Sequence, residues 1–149
     1  MAIRMLTAIK DEKFRKVSKK VTKFDDRLHI LLDDMLDTLR SDKNAYGCAA
    51  VHVGVLKRVV VIDDKANEVI ELINPVVTQQ SEETQKVQES SIAGGSRACI
   101  VERPLRVTVC ANDRYGNDIK IEGQGFLAAT LCHEIDHLDG IVYTDKEIF

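Results

Sequence analysis

Three residues near the C-terminal end of the sequence, His133, Glu134 and His137, have the spacing H-E-x-x-H. On a helix, residues four apart share one face, so both imidazoles can point at the same ion. Imidazole suits zinc, iron, cobalt and nickel, and Glu134 is placed to take a proton from a water that the ion activates. Since the chain has only four histidines, this spacing favours a metal site over a chance pair on a solvated helix face.

The residues around this motif predict a buried helix. Residues 125–132 are mostly apolar, and Gly140 is suited to ending the helix. Buried histidine and glutamate side chains need partners, and a metal ion is the usual one.

The motif supplies two ligands, whereas a catalytic zinc site usually has three protein ligands and an open position. Zinc proteases with this motif take the third ligand from downstream. Here the sequence ends at Phe149, and the short segment after His137 offers Asp139, Asp145 and Glu147. That segment is too short for a second ligand-bearing helix, so a third ligand, if there is one, is expected from upstream.

The upstream sequence predicts the elements that position the motif. Leucines and Met35 recur at helical spacing between Asp25 and Arg40, which predicts an amphipathic helix. The β-branched run 59–62 predicts a buried strand, and 107–122 predicts a hairpin that turns at 113–117.

Two further segments give weaker predictions. Residues 68–77 read as the returning strand, and Pro75 places it near a sheet edge or a strand end. Residues 141–143 suggest a short strand. Hairpins followed by a buried helix indicate an α+β fold.

Composition excludes several classes of protein. A length of 149 residues predicts a single domain, 1–149. The net charge of −3 comes without a basic stripe, so nucleic acid is not an expected partner, and the sequence has no run apolar enough for a membrane span or signal peptide. The four cysteines show no paired zinc-type spacing, and as reduced thiols they suggest a cytoplasmic protein.

Three segments together resemble the peptide deformylase family. Residues 133–140, HEIDHLDG, are similar throughout to the family's third motif. The first motif, G-x-G-x-A-A-x-Q, aligns with residues 45–52, and the second, E-G-C-L-S, aligns with 89–93. Arg103 and Pro104 follow the second motif near the distance typical of the family. The resemblance covers nearly the whole chain.

The resemblance implies a fold and an activity. The fold is α+β, with small antiparallel sheets packed around a central C-terminal helix that carries HEIDH, and with an N-terminal amphipathic helix. The activity is removal of the formyl group from the N-terminal methionine of newly made polypeptides, with Fe²⁺ or Zn²⁺ as the cofactor. The expected partner is thus an N-formyl-methionyl peptide or a nascent polypeptide N-terminus.

Site residues follow by position in the motifs. His133 and His137 are expected to bind the ion, with Glu134 as general base and the backbone N–H of Ile92 as an oxyanion donor. The pocket for the methionine side chain is expected to be bordered by Tyr46, Gly47, Glu89 and Ala129.

Two positions depart from the family pattern. Ser91 stands where the family has its cysteine ligand, and a neutral hydroxyl is a poor ligand compared with a thiolate. His52 stands where the family has the glutamine that stabilises the oxyanion, and it can still donate one hydrogen bond. The resemblance therefore implies an impaired deformylase. Two alternatives stay open: an inactive deformylase-like module that binds peptide N-termini, and a hydrolase of another amide or ester.

Overall fold

The computed structural model describes residues 2–66, 68–92 and 97–149. Within them, two α-helices, α1 and α2, accompany seven strands, β1 to β7. The helices are Asp26–Arg40 (α1) and Phe126–Leu138 (α2), and the strands are Gly47–Ala49 (β1), Val59–Asp63 (β2), Val69–Gln80 (β3), Thr84–Glu89 (β4), Cys99–Pro104 (β5), Arg106–Asn112 (β6) and Asp118–Gln124 (β7). Short 3₁₀ turns lie at Glu12–Arg15, Ala50–Val53 and Tyr143–Lys146. The α+β prediction is confirmed.

The strands form two antiparallel sheets in the described part of the chain. The larger sheet has the order β1-β2-β3-β6-β7, and β4 pairs with β5 in a separate two-stranded sheet. The hairpin predicted at the C-terminal side of the large sheet is β6–β7, with Arg106 paired to Gln124 at its open end.

The large sheet separates two apolar cores. Side chains alternate between the faces of a strand. Val59 and Val61 of β2 accordingly pack with α1, whereas Val60 and Ile62 pack in the cluster that includes α2. The motif helix therefore lies against one face of the sheet, and the amphipathic helix lies against the other.

Helix α1 begins and ends as its sequence predicts. The Asp25 side chain accepts a hydrogen bond from the backbone N–H of Leu28 at 3.1 Å, which satisfies one of the free donors of the first turn. Asp26 lies in the first turn and Arg40 in the last, so both charges complement the helix dipole. None of the described helices is both long and apolar enough to cross a membrane.

Two predictions about local structure are wrong. Pro75 lies inside β3, which pairs with β2 on one side and β6 on the other, and not at a sheet edge. The register shifts between Ile73 and Val76, so the proline sits at a bulge where it interrupts no regular ladder. Residues 141–143 form no strand, because Tyr143 begins a 3₁₀ turn and its ring stacks on His133.

Candidate metal centre

The two motif histidines converge. His133 and His137 are buried on one face of α2, and their Nε2 atoms lie 3.3 Å apart. Two Zn–N bonds of about 2.0–2.1 Å at a tetrahedral angle would place their nitrogens at about this separation. The predicted position of the two imidazoles is confirmed, and their spacing fits a shared ion.

A carboxylate behind His133 sets the orientation of its ring. His133 Nδ1 lies 2.7 Å from Glu89 Oε1, so a proton on Nδ1 is donated to Glu89 and Nε2 keeps a free lone pair. Burial lowers the pKa of His133, but the Glu134 and Glu89 carboxylates outweigh it, and the net shift is upward. Glu89 thus supports the histidine from outside the site.

Arg103 fixes Glu89 in turn. Its Nε and Nη2 donate to the two oxygens of Glu89 at 2.8 and 2.7 Å, and its Nη1 donates to Asp136 at 2.6 Å. The arginine is buried, and both neighbouring carboxylates favour its charged form. In the sequence, Arg103 indicates only the register of the second motif. The missed signal is that Arg103 follows Cys99 and Val101 on the inward face of β5.

His137 is held in its neutral form. Burial lowers its pKa well below the ordinary value, and the neighbouring His52 and His133 lower it further. Its Nδ1 is buried and has no hydrogen-bond partner among the described residues. The His137 ring also packs edge-on against Phe14, with centroids 5.3 Å apart, a contact that no sequence pattern predicts.

Glu134 lies beside the histidines with an unsatisfied oxygen. Its Oε1 is buried and makes no hydrogen bond within the described residues, and its Oε2 is 3.8 Å from His133 Nε2. Burial raises the pKa of Glu134 to about 7. A buried carboxylate oxygen without a donor indicates that a cation or a water completes the site.

The backbone of β1 approaches Glu134 closely. A Cβ atom at Gly47 would lie 2.6 Å from Glu134 Oε2, closer than side-chain atoms pack. Position 47 must therefore be glycine for Glu134 to occupy this place.

His52 and Ser91 are in contact. His52 Nε2 lies 2.9 Å from Ser91 Oγ, and His52 Nδ1 lies 3.1 Å from the Ala49 carbonyl oxygen and 3.0 Å from its nitrogen. Burial lowers the pKa of His52 to about 3, so its imidazole is neutral near pH 7. The two departures from the family pattern thus form one hydrogen-bonded unit.

One cavity of about 360 Å³ adjoins these groups. It is lined by every residue predicted to border the substrate pocket, and by Ser91, Ile92, His133 and Glu134. The four residues predicted to border the methionine pocket, all of which line this cavity, are Tyr46, Gly47, Glu89 and Ala129. Both Glu89 oxygens accept hydrogen bonds from Arg103, and Oε1 also contacts His133 Nδ1. Glu89 therefore acts on the site mainly by orienting His133. Ala93, the last residue of the second motif, lies outside the described residues.

The donor set fits a divalent ion. Among the described residues, one convergent ligand group appears: His52, Glu134 and His137 each offer an atom, and these atoms lie within 4.8 Å of one another. His133 adds the Nε2 that faces His137. No cysteine of the described chain belongs to that group, and Cys48 directs its Sγ toward the Ala49 carbonyl oxygen.

Comparison with known proteins agrees with this site. The family model described as Polypeptide deformylase matches residues 3–148. A peptide deformylase of Caldicellulosiruptor bescii is 49% identical over 148 residues, covering 99% of this chain and 87% of that protein. A peptide deformylase structure from Legionella pneumophila has a TM-score of 0.92 at 36% identity, covering 99% of this chain and 87% of that one.

A peptide deformylase structure from Thermotoga maritima covers 100% of both chains, with a TM-score of 0.94 at 28% identity. The predicted fold, with small antiparallel sheets around the helix that carries HEIDH, is therefore confirmed. Peptide deformylases are hydrolases that use a divalent metal ion and act in protein biosynthesis. By sequence, by fold and by the motif helix at its centre, the chain belongs to the peptide deformylase family.

Proposed function

We propose that this chain is a metal-dependent hydrolase that removes the formyl group from an N-terminal formyl-methionine. One observation carries the proposal. The Nε2 atoms of His133 and His137 converge beside Glu134, whose buried Oε1 has no hydrogen-bond partner among the described residues. This arrangement places two imidazoles and a carboxylate base together, at the wall of a cavity that can take a side chain.

His133 and His137 would hold the ion, and Fe²⁺ or Zn²⁺ suits two imidazoles. When bound, such an ion acts as a Lewis acid toward the formyl oxygen and makes a bound water acidic near neutral pH. Glu134 takes a proton from the attacking water and returns it to the leaving nitrogen. The C–N bond of the formamide breaks, and the products are formate and a free amino terminus.

The cavity supplies the remaining contacts. Ile92 lines it directly after Ser91, where its backbone N–H can donate to the developing oxyanion. Tyr46, Gly47 and Ala129 border the space for the methionine side chain. The substrate is an N-formyl-methionyl peptide or a nascent polypeptide N-terminus, and the four free thiols favour the cytoplasm as its location.

Ser91 and His52 support a slower enzyme than the family pattern implies. Neither provides the charged thiolate or the amide donor expected at these positions. They also favour the alternative in which the chain binds peptide N-termini without turnover.

The test is formate release from a formyl-methionyl tripeptide, with the metal content of the same sample measured. We expect activity after loading with Fe²⁺ or Zn²⁺, loss of activity on chelation, and a fall of about 10²–10⁴-fold in Glu134→Gln. Glu102→Gln, a substitution of the same type at an exposed glutamate of β5, should leave the rate unchanged. A metal-loaded chain that binds the peptide without releasing formate would support the binding module. Hydrolysis of other amides or esters alone would support a different hydrolase.

A further inference from the structure

We propose that His52 supplies the third metal ligand of this site, through Nε2, in place of the thiolate that position 91 lacks. This inference rests on the proposed metal-dependent function. It assigns to His52 a direct place on the ion, where the resemblance implies only an oxyanion donor.

The first argument is convergence. His52 lies in the group whose ligand atoms are all within 4.8 Å of one another, together with Glu134 and His137. The His52 and His137 rings meet at 81° with centroids 4.7 Å apart, and His137 meets His133 in the same way at 4.9 Å. The His137 ring thus contacts both of the other imidazoles, and three nitrogen donors with an open position make a well-known catalytic zinc site.

Burial and two unsatisfied polar atoms point to the same group of residues. His52, Glu134 and His137 are all at least nine-tenths buried. Glu134 Oε1 and His137 Nδ1 have no hydrogen-bond partner within the described residues. Buried polar atoms in this state are costly unless a further group completes them, and an ion on the Nε2 atoms, with its water beside Glu134, would complete the carboxylate.

The third argument concerns the tautomer. A metal ligand must present an unprotonated nitrogen, and in proteins the other ring nitrogen usually donates to a carbonyl or a carboxylate. The Ala49 carbonyl oxygen lies 3.1 Å from His52 Nδ1 and accepts that proton in one tautomer, whereas in the other tautomer Nδ1 accepts from the Ala49 N–H at 3.0 Å. In the first tautomer Nε2 carries no proton, so it can either accept from the Ser91 hydroxyl or bind an ion, as Nε2 of His133 can when its Nδ1 donates to Glu89.

The fourth argument is direction. His52 Nε2 points at Ser91 Oγ, 2.9 Å away, which is the position that the family's ligand cysteine occupies. The imidazole therefore reaches toward the place where a thiolate is missing. Ser91 is assigned here as a positioning residue, whose hydroxyl orients His52.

A rival role for the same contact is a serine nucleophile with His52 as its base and Glu134 as the orienting acid. Glu134 Oε1 lies 3.9 Å from His52 Nδ1, which is too far for a hydrogen bond, and Ala49 occupies that nitrogen instead. The orienting step of such a triad is therefore missing, and the geometry favours the ligand.

The experiment uses Co²⁺ as a spectroscopic probe of the full chain. X-ray absorption of the stoichiometric Co²⁺ complex counts imidazoles from their multiple scattering, without any substitution. We expect three imidazoles per Co²⁺ in the unmodified protein. Two imidazoles would overturn the proposal.

Affinity measurements test the same point by substitution. His52→Gln, which restores the family residue, should weaken Co²⁺ binding by more than the roughly 10–100-fold that loss of an outer partner costs. Ser91→Ala should stay within that outer-partner range. His29→Gln, the same change at a histidine of α1 bonded to the Arg114 carbonyl, is the matched control and should bind Co²⁺ normally.

A thiolate placed at position 91 should relieve the need for His52. In a Ser91→Cys background a charge-transfer band should report the Co–S bond, and adding His52→Gln should then cost much less affinity than in the parent. This comparison stays informative if His52→Gln alone folds poorly.

The outcomes separate this inference from the proposed function. If His52→Gln binds Co²⁺ as tightly as the parent, His52 is not a ligand, whatever the deformylase rate. If the Co²⁺ complex has three imidazoles but no formyl peptide is hydrolysed, the ligand assignment stands and the proposed function fails. Covalent labelling of Ser91 by a fluorophosphonate, with no change of Co²⁺ affinity in His52→Gln, would overturn the ligand in favour of the nucleophile.

Discussion

At the scale of single residues, the site depends on groups whose partners were not evident in the sequence. The spacing of His133, Glu134 and His137 predicted a shared face, and the structure brings the two Nε2 atoms to 3.3 Å. The contact between His52 and Ser91 could not be predicted in the same way, because it joins two distant segments through the fold. A resemblance aligns each of these positions separately and says nothing about their contact.

Gly47 gives a prediction at this scale. Gly47→Ala would place a Cβ 2.6 Å from Glu134 Oε2, so the carboxylate must move. Misplacement of a catalytic group by about 1 Å costs on the order of 10²-fold in rate, and we expect kcat for formate release to fall by about that much.

Metal affinity serves as the internal control for this variant. The three atoms nearest to the new methyl group all belong to Glu134, so Co²⁺ should bind Gly47→Ala nearly as tightly as the parent. An unchanged kcat would show that Glu134 does not need its observed position.

At the scale of elements, the motif helix is tied to the small sheet by buried charge. Arg103 of β5 bonds Glu89 at the end of β4 and Asp136 of α2, and Glu89 bonds His133. One arginine thus connects three elements around the candidate metal centre. Buried and exposed residues alternate along β5, which places Arg103 on the inward face. That pattern does not reveal which carboxylates the arginine binds, because they lie on other elements.

Removing this arginine should destabilise the fold. Arg103→Met leaves Glu89 and Asp136 without their cation, and breaking one side of a buried ion pair typically costs about 3–5 kcal/mol. We expect a loss of this size in the free energy of unfolding, measured by urea denaturation of the metal-free protein.

Arg106→Met is the matched control, because Arg106 pairs with Glu83 on the surface. An exposed pair contributes about 0–1 kcal/mol, so its loss should be small. The double variant Arg103→Met with Glu89→Gln should recover part of the lost stability, since the unpaired charge at Glu89 is removed. Equal effects of the two arginine variants would contradict the role assigned to Arg103.

At the scale of the whole molecule, two helices pack on opposite faces of one sheet, and the site lies where α2 meets β1 and the end of β4. The periodic segments were predictable, because α1 and the β6–β7 hairpin have patterns that local physics determines. The prediction that Pro75 lies near a sheet edge or a strand end is wrong, because the bulge that accommodates the proline depends on pairing with β6. The prediction of a strand at 141–143 is wrong, because the stacking of Tyr143 on His133 is a tertiary contact that the local sequence does not show.

We expect this fold to gather His52, His133 and His137 around a divalent ion. Diffraction from crystals of the Zn²⁺-loaded protein, recorded on both sides of the zinc absorption edge, locates the ion directly. We expect one strong anomalous peak bonded to Nε2 of His133 and His137, with His52 as the third protein ligand. A loaded crystal without a peak between His133 and His137, or with its peak elsewhere on the chain, would contradict it.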